Sequence, residues 1–124
     1  MGSTFKLSDQ QYKIMKILWM KGEASARQIQ EELSGELAHT TVGTMLSRLE
    51  KKDILSSRIQ GRERFYKHLV SETDVNKSMV SSLVSTLFKG DPSALVAHLV
   101  KESEIDKDEL DSIRDLIEGS IQND

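Results

Sequence analysis

Between Thr40 and Lys52 the chain carries Thr40, Thr41, Thr44, Ser47, Arg48, Lys51 and Lys52, short hydroxyls followed by long cations. Hydroxyls approach base edges and phosphate oxygens closely, and an Arg guanidinium forks onto the two acceptors of guanine. Thr and Lys are also common on any solvated helix surface, so this set alone fits a nucleic-acid face and an ordinary exposed face alike. A second group follows at once, with Arg58, Arg62 and Arg64 around Gly61. From His39 to Lys67, seven Lys and Arg stand against Glu50, Asp53 and Glu63, a local balance of +4. Such a compact basic stretch is the electrostatic footprint expected of a polyanion binder.

Other chemistries find no constellation. His39, His68 and His98 are far apart in sequence, so no metal site is expected. With no Cys there is no disulfide, thiolate site or thiol nucleophile. Neither a Gly-rich phosphate loop nor a Ser-centred nucleophile motif occurs. At 124 residues, binding is favoured over catalysis, and neither enzyme activity nor a cofactor is expected.

The elements that must position the hydroxyls and cations are legible from caps and periodicity. Ser8 with Gln11 forms a capping box, flanked by Leu7 and Tyr12 as a hydrophobic staple, so a helix starts near Asp9 and Gly22 ends it. Ser25 with Gln28 repeats the box for a short second helix ending near Gly35. A third helix runs from about His39, where Val42, Met45, Leu46 and Leu49 fall at i, i+3, i+4 and i+7 and point inward. The hydroxyls and cations then lie mostly on its opposite face. Leu55 to Ile59 and Arg64 to Leu69 suit strands and read as a hairpin turning at Gly61. Three short helices and a basic hairpin are the order of a winged helix-turn-helix, whose third helix enters the major groove while the wing touches backbone or minor groove.

From residue 72 the character changes. Val75, Met79, Val80, Leu83, Val84, Leu87 and Phe88 trace a helical stripe with Gly90 beyond its end. Asp91-Pro92 opens a helix bearing Leu95, Val96, Leu99 and Val100, and Asp106 with Glu109 caps one bearing Leu110, Ile113, Leu116 and Ile117. So much apolar stripe on three short helices points to a dimer interface, with self-packing inside one monomer as the alternative. The expected fold is mainly α, a winged helix over residues 1–71 followed by a three-helix dimerisation region over residues 72–124. Its dimer contacts would be Val80, Leu83, Val84, Leu87, Leu95, Leu99 and Leu116.

Net charge is −3, but the average conceals a division. Residues 1–72 hold 12 Lys and Arg against 9 Asp and Glu, and residues 73–124 hold 5 against 11. One half suits a polyanion and the other repels it. A rival reading makes the winged helix a scaffold and gives the acidic helices a protein partner. No apolar run approaches the ~18 residues of a membrane span, and no secretory core follows Met1, so a soluble cytoplasmic protein is expected.

Four stretches carry a family resemblance. Leu7 to Trp19, Thr41 to Lys52 with its Thr-Val-x-Thr-x-Leu-x-Arg-Leu-x-Lys-Lys pattern, Phe65-Tyr66, and Leu95 to Val100 together resemble the penicillinase-repressor family. That resemblance implies a homodimer with amino-terminal winged helices and a carboxy-terminal helical dimerisation domain, binding dyad-symmetric double-stranded operators and repressing transcription. By position it assigns Thr41, Thr44, Ser47 and Arg48 to the groove-facing side of the recognition helix and Arg62 and Arg64 to the wing. Thr40 and Lys51 on the same helix complete the DNA-binding set. Thr40 and Gly43 stand where family members often have a basic residue, and Asp53 where they often have Gly, which implies strain or a side-chain cap at that helix exit. The resemblance further implies a sensor-controlled protease as a partner. The Asn-Phe bond cut in the β-lactam branch is replaced here by His98-Leu99, and the Cys cluster of the copper branch is missing.

Overall fold

The computed structural model describes residues 5–102 and 104–122. Helix α1 (Asp9–Lys21) begins where the side chains dictate: Ser8 Oγ accepts from Gln11 N at 3.1 Å while Gln11 Oε1 accepts from Ser8 N at 3.0 Å. It ends at Gly22, whose φ of 84° is costly for any residue with a Cβ. Strand β1 (Glu23–Ser25) follows, then α2 (Ala26–Glu32), opened by the Ser25–Gln28 box. Helix α3 (His39–Lys51), strands β2 (Leu55–Gln60) and β3 (Glu63–His68), and helices α4 (Glu72–Phe88), α5 (Pro92–Lys101) and α6 (Lys107–Gln122) complete the order.

The expected hairpin is present as β2 and β3, with Gln60 paired to Glu63 across the two loop residues Gly61 and Arg62. Gly61 has φ 65°, the sign that the first position of a tight hairpin loop of the II′ kind demands. Sequence reading missed β1. Its register Glu23↔Lys67, Ala24↔Tyr66, Ser25↔Phe65 makes it a third antiparallel strand, so the sheet order is β1-β3-β2. With the helices it forms a winged helix-turn-helix.

Two compact units divide the chain, residues 1–80 and 81–124. In the first, Ile14, Met15, Leu18, Ile29, Val42, Leu46, Leu49 and Leu55 are fully buried in one cluster. Each large aliphatic side chain buried there contributes about 1.5–3 kcal/mol of transfer free energy. Tyr12 packs edge-on against Trp19 with ring centroids 5.7 Å apart, and Trp19 Nε1 donates to Val70 O at 3.0 Å. The start of α4 is tied to α1 by Tyr12 Oη donating to Asn76 Oδ1 and by the Lys16–Glu72 ion pair at 2.6 Å. In the second unit Asp91 caps α5 through Ser93 N, Asp106 and Glu109 cap α6 reciprocally, and Phe88 lies 5.7 Å from His98.

The exit of α3 shows the strain expected of Asp53. Its φ is 61°, the Asp53 N–H donates to Glu50 O, and the Ile54 N–H donates to Leu49 O, both at 3.0 Å. These two bonds are the Schellman motif with Asp53 in the left-handed position that Gly fills best, and buried Ile54 packs where the motif wants an apolar residue. Asp53→Gly is therefore expected to raise unfolding stability by about 0.5–1 kcal/mol. A thermal melt checks it; a lowered midpoint contradicts the strain.

Candidate nucleic-acid interface

Helix α3 presents two chemically distinct faces because its apolar residues recur at the helical period. Val42, Leu46 and Leu49 are fully buried, whereas Thr40, Thr44, Ser47, Arg48 and Lys51 are exposed and Thr41 is half-buried. Ala38 at the N-cap supplies no side-chain oxygen to the first turn. The leading N–H groups of α3 therefore lack the side-chain acceptor that serine provides for α1 and α2, which leaves them suited to an anion.

Thr44 Oγ1 donates to Thr40 O at 2.9 Å. With its proton committed to the helix backbone, Thr44 turns outward only a methyl group and acceptor lone pairs. That surface matches a thymine methyl or an amino-group edge rather than a carbonyl. Ser47 and Arg48 add hydroxyl and guanidinium donors beyond it. Among the described residues, Arg48, Lys51, Lys52, Arg62 and Arg64 make no salt bridge. Their charge is uncompensated and available to phosphates.

The arginines of the hairpin split into two kinds. Arg58 reaches across β3 over the ring of Phe65, 5.2 Å from its centroid, and grips Glu23 through Nε (2.8 Å) and Nη2 (2.7 Å). Its third nitrogen donates to Gln60 at 2.6 Å, so all three nitrogens serve the sheet itself. The hydrogen bond from Arg58 holds the Glu23 carboxyl below its ordinary value, and the same bond raises the Arg58 guanidinium. A depressed carboxyl stabilises the folded state above its unfolded pKa, and this contribution is lost as pH falls through the lower folded value. The sequence places Arg58 with Arg62 and Arg64 on or near the hairpin tip, and its pairing with a residue 35 positions away is not visible there. Arg62 and Arg64 remain exposed, Arg62 in the loop and Arg64 on β3. Arg27 on α2 is likewise engaged, with Glu63 at 3.0 Å and Glu31 at 3.7 Å.

The apolar residues singled out on the later helices fall into two groups. Val80, Leu83, Leu87 and Leu116 are exposed, at 54%, 41%, 65% and 73%. Val84 is buried, and Leu95 and Leu99 are half-buried. His98 is exposed beside Leu99 within α5. Among the described residues no group of acids and histidines could hold a metal ion, and no helix is long and apolar enough to cross a membrane.

Comparison with known proteins gives this geometry a family. The chain is 28% identical to the methicillin resistance regulatory protein MecI of Staphylococcus aureus (strain N315) over 92% of its own length and 94% of that protein's. It is 31% identical to the transcriptional regulator BlaI of Mycobacterium tuberculosis over 92% of this chain and 84% of that one. Among solved structures it is similar to the monomeric form of Bacillus licheniformis BlaI in complex with the blaP half-operator, with a TM-score of 0.50 and 30% identity, covering 60% of this chain and 93% of that one. The family model described as penicillinase repressor matches residues 7–119, and the chain belongs to the penicillinase repressor family.

Proposed function

We propose that this protein is a DNA-binding transcriptional repressor that acts as a homodimer on a two-fold symmetric operator. The observation that carries this reading is the outer face of α3, where Thr40, Thr41, Thr44, Ser47, Arg48 and Lys51 lie on one helix with the two cations unpaired. Arg62 and Arg64 on the hairpin add backbone contacts beside the groove that α3 enters. Its MecI and BlaI relatives are regulators, and the BlaI structure it resembles holds a half-operator, which supports operator binding by this chain. The family is one of repressors rather than enzymes.

Residues 72–124 supply the dimerisation region. Val80, Leu83 and Leu87 stand at helical spacing on α4, and with Leu116 they expose apolar area that a monomer leaves in water at a cost. Leu95 and Leu99, half-buried on α5, and Val84, buried on α4, complete the proposed apolar set. Two-fold symmetry then sets half-site centres about 10 base pairs, or a multiple of that, apart. The repressor works in the cytoplasm, where operator DNA is found, and a sensor-controlled protease is the partner proposed for induction. The His98-Leu99 bond lies inside α5, so cutting there requires local opening of that helix.

Salt tests the reading against that of a protein-binding adaptor. Affinity for duplex DNA is expected to fall linearly in log–log form with a slope of about −0.9 per phosphate contacted. Fluorescence anisotropy at several salt concentrations measures it. Absence of duplex binding at low salt refutes the repressor reading.

A further inference from the structure

Glu50 stands in the last turn of α3, Ser57 on β2 and Arg64 on β3, and one hydroxyl joins all three. Ser57 Oγ donates to Glu50 Oε2 at 2.5 Å and accepts from Arg64 Nη1 at 2.9 Å. A serine hydroxyl has one proton and two lone pairs, so giving the proton to the carboxylate leaves the lone pairs for the guanidinium. Both bonds have an ionised partner and belong to the stronger class. The register brings the residues together: Ser57 lies opposite Tyr66 and Ile59 opposite Arg64, so these four share one face of the sheet. Arg58, Phe65 and Glu23 occupy the other face. Tyr66 is buried next to the relay, and burial together with the Glu50 carboxylate raises its hydroxyl pKa while Arg64 opposes the rise.

The two arginines of this hairpin thus differ in what they have left to give. Arg58 spends all three nitrogens inside the sheet. Arg64 spends one N–H of its five on Ser57 and is otherwise exposed. We propose that Glu50 and Ser57 are positioning residues that hold Arg64 in its DNA-contacting conformation, so that the wing cation is set by the last turn of the recognition helix. This inference rests on the DNA-binding reading above. Its physical content is preorganisation: a long cation already fixed by a hydrogen bond loses less rotamer freedom when it meets a phosphate.

The test is a double-mutant cycle in the full chain. Parent, Ser57→Ala, Arg64→Ala and the double variant are titrated on one selected duplex at several salt concentrations, with thermal melts in parallel. Ser57→Ala is expected to weaken binding roughly three- to tenfold per half-site and to move the salt slope toward that of Arg64→Ala. In the Arg64→Ala background the same change should cost nothing further. Ser57→Thr keeps the hydroxyl and should bind like the parent. If the melts show that Ser57→Ala does not fold, Glu50→Ala, which removes the acceptor of the Ser57 hydroxyl, replaces it in the cycle with the same expected pattern. Parental affinity for Ser57→Ala, or an equal loss in both backgrounds, overturns the relay. Parental affinity for Arg64→Ala also overturns it while leaving the repressor reading intact, whereas a parent that binds no duplex removes both.

Discussion

Leu83→Asp is expected to convert the protein to a monomer and to lower its affinity for a two-fold operator by roughly 10²- to 10⁴-fold, the size of a lost bivalent advantage. The side chain is chosen for its position. Leu83 is 41% exposed on α4 between Val80 and Leu87, both more exposed, while Val84 next to it is buried at 7%. A carboxylate at Leu83 therefore remains in water in the free chain, and helix α4 has no reason to unravel. In a dimer the same carboxylate would be trapped in apolar surroundings without a partner, which costs several kcal/mol and separates the protomers. Sedimentation velocity reads the association state, circular dichroism the retained helix content, and anisotropy the two affinities. Binding to an isolated half-site should survive, since α3 and the hairpin are untouched. A variant that sediments as a dimer removes the proposed interface.

Arg48→Ala is expected to cost about 1–3 kcal/mol per half-site if its guanidinium forks onto a base. The loss should also have a character that simple charge removal lacks. Lys52, one turn on and exposed, serves as the control. Lys52→Ala should weaken binding evenly across sequences and reduce the salt slope by about 1, as loss of a phosphate contact does. Arg48→Ala should in addition relax the base preference at one position of each half-site. Competition titrations with single-substituted duplexes separate the two patterns. Arg48→Ala with the parent's preference and only a shallower salt slope would make Arg48 a backbone contact.

What could be read from the residues alone depended on range along the chain. The three capping boxes at Ser8, Ser25 and Asp106 were legible because both partners lie within one turn, and each of them forms in the structure. The hairpin and its turn were legible because Gly61 interrupts two strand-like runs, and the inward face of α3 because four apolar residues keep the helical period. Strand β1 was not: three residues, Glu23, Ala24 and Ser25, are too few to show alternation, and their pairing with β3 is settled some 40 positions later in the chain. The one local hint is Gly22, which ends α1 and frees the next residues to extend. The engagement of Arg58 is not legible for the same reason, since its partner Glu23 sits on that strand. The Glu50–Ser57–Arg64 relay likewise joins two strands and a helix end, and only the register reveals it. Composition alone could assign charge to the region but not decide which cation is spent within the fold.

The most direct test of the central claim is selection of bound duplexes from a random DNA pool by the full-length protein, followed by titration of the recovered sequence. The account predicts a palindrome whose half-site centres lie about 10 base pairs or a multiple apart, bound at least a thousandfold more tightly than scrambled duplex at the same salt. A pool that yields no common sequence, or equal affinity for scrambled DNA, would contradict it.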